Sequence, residues 1–292
     1  MSERARGFES HPLRQKDDYE SGHLFLLFCT SFCDKVKLIW RKGEVAMYSF
    51  LMIGQSNMAG RGFRDDVPGI VNDRLYVLRN GRWHHMYVPV NNDRKFSGIS
   101  LAESFADECS KYYGVDVGLI PCADGGTTLA QWQPGEILYD HAVFQAKLAQ
   151  RTSTIAGVLW HQGESDCGEE NYPHYEEKCM YIFESMKKEL GLSDDVPFII
   201  GGLGSYLEQK GGMLVNYPYI NEALQSMAAH NEYIGYVSAD GLTCNPDYLH
   251  FNAQSLREFG LRYFEKFKDM NKVIESEDAD SFKDNLTEIE RL

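Results

Sequence analysis

The sequence predicts an α/β protein with a parallel sheet and helices on both faces. Three observations carry that prediction. From Met47 onward, short apolar runs alternate with longer amphipathic stretches, the pattern of repeated βαβ units. The apolar runs are nearly continuous rather than alternating, as strands buried on both faces require. Polar, glycine-rich segments follow the runs, at the strand ends where an open parallel sheet keeps its ligand.

The elements follow in order. Phe50, Leu51, Met52 and Ile53 make a strand over 48–54 that stops at Gly54. "RLYVLRNGRWHHMYV" places Asn80-Gly81 between two apolar runs, which predicts a small β-hairpin insertion. Leu101, Phe105 and Cys109 recur at four-residue steps, giving a helix over 101–113 with one apolar face and Gly114 as its C-cap. Strands are expected at 115–121, 155–161, 197–203 and 233–238. Helices are expected at 139–152, 175–190 (closed by Gly191), 219–231 and 253–268. No internal repeat is present.

Three segments differ in character. Residues 1–46 are mixed in charge and without a period. They end "IWRKGEVAM", where Arg-Lys-Gly-Glu is also what the purine-rich codons of a bacterial ribosome-binding site would spell. Met47 is therefore expected to be the true start, with 1–46 an atypical extension. The main domain is expected over 47–270, and 271–292 as an acidic tail. Residues 275–292 carry seven acids against two bases.

Composition narrows the function. With 292 residues, 43% hydrophobic and 13% aromatic, the chain can bury a sizeable core. A net charge of -14 argues against nucleic acid, which needs clustered Lys and Arg, and against an anionic membrane surface. Cys29, Cys33, Cys109, Cys122, Cys167, Cys179 and Cys244 are odd in number and form no C-x-x-C pair. They predict free thiols, no zinc site and a cytoplasmic protein. "LFLLFCTSF" (24–32) has the length of a signal-peptide core. However, Asp17, Asp18 and Glu20 precede it, and no small-x-small cleavage site follows.

The segments at the strand ends read Gln55-Ser56-Asn57, Cys122-Ala123-Asp124-Gly125-Gly126-Thr127, Gln162-Gly163-Glu164-Ser165-Asp166 and, after the last strand, "DYLHFN" from Asp247. Taken alone, Ser56 reads as a helix cap, and Asp247-x-x-His250 as another. Together they supply a nucleophile, a base and an acid that fixes the base's tautomer. The elbow is G-x-S-N rather than G-x-S-x-G. For a developing oxyanion, Ser56 offers its own amide. Gly125-Gly126 can bring bare backbone N–H groups close, and Gln162 offers a side-chain amide. The alternatives are a tight turn for the glycines and a buried loop-to-loop hydrogen bond for Gln162.

"GQSNMAGRG", "GGTTLAQW", "WHQGESD" and "DYLHFNAQSLREFG", in that order over roughly 48–267, closely resemble the SGNH/GDSL hydrolase superfamily. The match is to its sialate O-acetylesterase-like branch, which includes acetylxylan esterases. The resemblance implies a three-layer α/β/α sandwich, flavodoxin-like, with a five-stranded parallel sheet. It implies Ser56 as nucleophile, His250 as base, Asp247 as orienting acid, and Gly125 as an oxyanion donor. The third block departs from the superfamily's usual asparagine, and Gln162 is the natural substitute. Glu164 is expected behind the site, orienting Gln162 or His250. No metal or cofactor is expected. His84-His85 and His161 lack a ligand pattern such as H-E-x-x-H.

The expected activity is a serine esterase that removes O-acetyl groups from a small or oligosaccharide acetyl ester, of xylan type or sialic acid. Trp132 is expected to stack on the sugar ring, in preference to Trp83 or Trp160. Gln55, Asn57, Arg61 and Gly126 are further candidates for contact. The rivals are an esterase, thioesterase or lipase acting on another acyl group, and a carbohydrate-binding module without activity.

Overall fold

The computed structural model describes residues 47–275. The expectations for 1–46, and for the tail past 275, lie outside the described residues. The chain runs β1 (Met47–Gly54), α1 (Ser56–Ala59), β2 (Leu75–Arg79), β3 (Arg82–His85), α2 (Leu101–Tyr113), β4 (Asp116–Pro121), α3 (Ile137–Ala149), β5 (Thr154–His161), α4 (Tyr175–Leu190), β6 (Phe198–Gly201), α5 (Leu207–Lys210), α6 (Tyr217–His230), β7 (Ile234–Val237) and α7 (Ala253–Met270). Short 3₁₀ turns join several of these. Gly114 and Gly191 cap α2 and α4 in the left-handed region, at φ 67° and 65°, a conformation that glycine adopts without steric cost.

One sheet of seven strands, in the order β3-β2-β4-β1-β5-β6-β7, forms the middle layer. Every pairing is parallel except β2 with β3. The α/β class is as expected, but the five-stranded count is corrected. The hairpin turns at Asn80 and Gly81, both at positive φ. It is not an appendage: β2 pairs with β4 and carries the sheet outward. Leu75 and Val77 of β2 are fully buried, and their strand covers an edge of β4 that would otherwise stand open.

Alternation along β5 separates the two helical layers. Trp160 meets Phe183 of α4, with ring centroids 5.3 Å apart, whereas the next residue, His161, meets Phe259 of α7 at 5.7 Å. Phe50 of β1 packs edge-on against Phe105 of α2 and Phe267 of α7, at 4.7 and 5.0 Å. Thus α2 and α7 cover one face, and α4 lies on the other with α3 and α6 packed beside it. No described helix is long and apolar enough to cross a membrane.

The strand order reverses at β1, which lies between β4 and β5. That is where the loops beyond the strand ends diverge and leave a crevice. The α2 cap is tied to this crevice. Ser100 and Glu103 form a capping box, and the Ser100 hydroxyl donates to the Met58 carbonyl in α1 at 2.7 Å. Ser100→Ala removes the cap and leaves that buried carbonyl unpaired. The expected loss is about 2 kcal/mol, measured as a lower midpoint in urea unfolding with an unchanged m-value.

Candidate active site

The first loop is shaped by its glycine. Gly54 sits at φ 120°, and a Cβ there would collide with the His161 carbonyl. The chain turns at once: Gln55 N–H donates to that carbonyl at 2.8 Å, and Ser56 opens α1. The helix N-cap position is Gln55, with no side-chain cap. Ser56 is therefore not spent on capping. Its Oγ lies 3.1 Å from Nε2 of His250.

The partner comes from the loop before α7. One oxygen of Asp247 accepts the backbone N–H groups of Leu249 and His250, both at 3.0 Å. The other lies 2.6 Å from Nδ1 of His250. The i, i+3 spacing works because a single carboxylate closes the turn and holds the ring that the turn presents. Burial pushes the Asp247 carboxyl up, but the two backbone donors and the imidazole outweigh it, and its pKa lies below the ordinary value. Ser56, His250 and Asp247 thus stand in hydrogen-bonded series, and Ser56 and His250 line a cleft of about 370 Å³.

Gly125 and Gly126 line the cleft beside Ser56. A Cβ on Gly125 would meet the Arg61 guanidinium at 2.5 Å and Asp93 at 3.0 Å, so a side chain there would displace that ion pair. Its amide, however, is engaged: Gly125 N–H donates to Oδ2 of Asp93 at 2.9 Å. This corrects the expected Gly125 oxyanion donor. Gln162 is corrected too. It is fully buried, and its side-chain NH₂ donates to the Thr127 carbonyl at 3.0 Å and to Asp166 at 2.5 Å. Both hydrogens are consumed in lacing two loops together, which is the alternative that the sequence left open. Among the described residues, the amides of Ser56 and Gly126 have no acceptor.

Other expected residues take different places. Trp132 is fully buried, edge-on to Trp160 at 5.8 Å, with its N–H given to Thr127. It is core and offers no face to a sugar. Trp160 is equally buried, and Trp83 lies on β3, donating to Thr152. Gln55 lines the cleft, and its side-chain Oε1 accepts from the backbone N–H groups of Gly163 and Ser165 at 3.4 Å each. Among the described residues, Glu164 makes no direct hydrogen bond to Gln162 or His250; it stands behind the site, one residue removed from the His250 loop. It accepts from the Asn57 amide at 2.5 Å. Among the described residues, no group of three or more His, Cys, Asp or Glu side chains could hold a metal ion.

Two residues missed in the sequence matter here. Phe96, 69% exposed, is an aromatic face in the cleft, and the Arg61 guanidinium lies 5.3 Å from its centroid. Asp93 is almost wholly buried and binds Arg61 through both oxygens, at 3.1 and 2.5 Å. Arg61 is thereby committed to the protein rather than free for an anionic substrate. Burial raises the Asp93 carboxyl, and Arg61, Ser97 and the Gly125 amide pull it below its usual value. Both residues sit in "NNDRKFSG", a polar loop without periodicity, and no local signal would have singled them out.

The comparisons with known proteins bear on this site. Residues 46–269 match the family described as "Carbohydrate esterase, sialic acid-specific acetylesterase". The chain belongs to that family. It is accordingly a carboxylic ester hydrolase of carbohydrate esterase type. A curated Arabidopsis thaliana protein described as a probable carbohydrate esterase is 28% identical over 238 residues, 73% of this chain and 86% of that protein. An Arabidopsis thaliana crystal structure superposes with a TM-score of 0.69 at 25% identity, covering 77% of this chain and 99% of the other. A Xanthomonas citri carbohydrate acetylesterase gives 0.60 at 17% identity over 77% and 56%, and a structure titled NanS gives 0.59 at 17% over 77% and 97%. These last two likenesses concern the fold alone.

Asp93→Asn leaves Arg61 buried without its counter-charge, and should cost about 3 kcal/mol at neutral pH. The native Asp93 carboxyl titrates below its unfolded value of about 3.9, so its contribution is present above that value. It is lost as pH falls through the folded value. Thermal melts should therefore show a large gap between wild type and Asp93→Asn at pH 7 that narrows toward pH 3.

Proposed function

We propose that the chain removes O-acetyl groups from a carbohydrate by acyl transfer through Ser56. The observation that carries this reading is the continuous series from Ser56 Oγ to His250 at 3.1 Å and on to Asp247 at 2.6 Å, opening into the cleft. His250 Nε2 takes the hydroxyl proton as Oγ bonds to the acetyl carbon. Asp247 holds Nδ1–H and stabilises the imidazolium. The tetrahedral oxyanion is met by the amides of Ser56 and Gly126, each worth about 10²–10³ in rate. The carbon–oxygen bond to the sugar then breaks, and the proton on His250 passes to the departing sugar oxygen. Water attacks the acetyl carbon and gives a proton to His250; the bond from that carbon to Ser56 Oγ then breaks, His250 returns the proton to Oγ, and the acetyl group leaves as acetic acid, which ionises to acetate.

The carbohydrate assignment is supported by family membership and by the cleft. Its volume suits a single sugar ring, and Phe96 offers the exposed aromatic face on which such a ring packs. The name of the 28%-identical relative, a probable carbohydrate esterase, points the same way.

Hydrolysis of p-nitrophenyl acetate, butyrate and octanoate tests the acyl group. Acetate should be preferred, Ser56→Ala should lose at least about 10⁴-fold in kcat, and Asp247→Asn about 10²–10⁴-fold. Preference for octanoate would overturn the acetyl assignment, and full activity in Ser56→Ala would overturn the nucleophile. O-Acetyl sialate against acetylated xylo-oligosaccharides then identifies the sugar. Phe96→Ala should raise KM for the preferred sugar ester about tenfold while leaving p-nitrophenyl acetate turnover within threefold.

A further inference from the structure

We infer that Asn57 is a positioning residue for the base: its side chain straps the His250 loop to the nucleophile turn, and Glu164 locks the strap. This inference rests on the triad reading above. Asn57 is wholly buried directly after Ser56. Its carboxamide oxygen accepts the Phe251 N–H at 3.1 Å, and its NH₂ donates to the Leu249 carbonyl at 3.3 Å. These two groups flank His250 on either side. The remaining NH₂ hydrogen goes to Glu164 Oε1 at 2.5 Å.

The strap joins loops that are otherwise remote. Asn57 and Phe251 are 194 positions apart, and Asn57 and Glu164 are 107 apart. Ser56 and His250 each sit one covalent step from a hydrogen-bonded partner in the strap. Their separation is therefore set by backbone geometry as well as by the hydrogen bond between them. A general base must sit within about 2.6–3.2 Å of the proton it takes, so slack in this loop would act on kcat.

Glu164 makes the orientation of the amide unique. Reversing the Asn57 carboxamide would set its oxygen against the Glu164 carboxylate and its NH₂ against the Phe251 N–H. Both contacts would be repulsive. Asparagine is thus required in place of its isostere aspartate, which has no hydrogens for Leu249 or Glu164. It would also bring a second charge to within about 2.5 Å of the first, where like charges cannot both remain ionised.

The test uses the full-length protein with active-site titration by an organophosphonate ester, so that kcat is expressed per competent site. Asn57→Asp should lower per-site kcat on p-nitrophenyl acetate by at least 10²-fold, with KM within threefold, and slow organophosphonate labelling in parallel. Glu164→Gln keeps an oxygen for Asn57 and should cost less than tenfold. In the double variant the new glutamine NH₂ can donate to the new carboxylate, and kcat should recover at least tenfold over Asn57→Asp alone. A loss caused only by misfolding would reduce the number of titrated sites and leave per-site kcat unchanged. Glu164→Ala, which frees the strap to rotate, provides an independent reading if Asn57→Asp does not fold: per-site kcat should fall at least tenfold at unchanged KM. Per-site kcat within threefold of wild type in Asn57→Asp or Glu164→Ala, or no recovery in the double variant, overturns the assignment. Activity in Ser56→Ala would instead remove the triad reading on which it rests.

Discussion

The chain must leave the middle of a sheet abruptly at Gly54, and the site depends on that exit. β1 is paired on both sides, so its end is held by both neighbours. Asp124 N–H, beyond β4, donates to the Gly54 carbonyl at 3.0 Å, and Gln55 N–H donates to the His161 carbonyl at the end of β5 at 2.8 Å. A side chain at Gly54 would push the strands apart. With glycine, the turn closes within one residue, and Ser56 emerges where the loops after β4 and β5 are already adjacent. The position of Ser56, the proposed nucleophile, is thus a property of three strands rather than of a flexible loop, as precise placement of a reacting atom requires.

Asp247 and His250, the proposed acid and base, arrive together. Because Asp247 accepts the backbone amides of Leu249 and His250 and also the imidazole, the Asp–His relation is settled inside a four-residue turn. Only one long-range requirement remains, which is to bring that turn to Ser56. The turn is held at its back by the Cys244–Phe251 bridge and by Asn252, whose side chain accepts the Ser255 N–H at the start of α7. α7 in turn packs on α2, whose cap bonds the Met58 carbonyl in the turn that carries Ser56. A closed circuit of packing and hydrogen bonds therefore runs from Ser56 through α2 and α7 and back to His250.

What was legible in the sequence was whatever is local. The buried run of β1, the four-residue steps of α2 and the glycine caps of α2 and α4 are written in consecutive residues, and their boundaries were found to within a residue or two. Ser56, Asp247 and His250, the proposed triad, stand in motifs of specific order, and their side chains meet in the structure. Side-chain direction was not legible. Trp132 follows the glycines of the second block, but its 3₁₀ turn points it into the core against Trp160. Gln162 stands at a strand end as an oxyanion donor would, yet Asp166, four residues on, draws its amide away from the cleft. Asp93 was invisible because its partners Arg61 and Gly125 are each 32 positions away. The hairpin was read correctly as a hairpin. Its pairing with β4 is a contact between distant segments that no local pattern encodes.

The same distant contacts give the chain's acidity a second meaning. Around the cleft, carboxylates serve as acceptors that gather donors from different loops. Asp93 holds Arg61 from the first block and the Gly125 amide from the second. Asp166 holds Gln162 of its own block and the Leu129 amide beyond the glycines. Glu164 holds Asn57, and Asn57 holds the loop of His250. A carboxylate offers about four acceptor sites on one small group, so a buried one can bind two loops where a neutral side chain would bind one. Burying it is costly unless donors meet it, and here the donors to Asp93, Asp166 and Glu164 come mainly from other loops, with Glu164 Oε2 left without a partner. The four sequence blocks thus stay in register because each long-range carboxylate is satisfied only when its neighbouring block is in place, which makes assembly of the site cooperative with folding of the sheet ends.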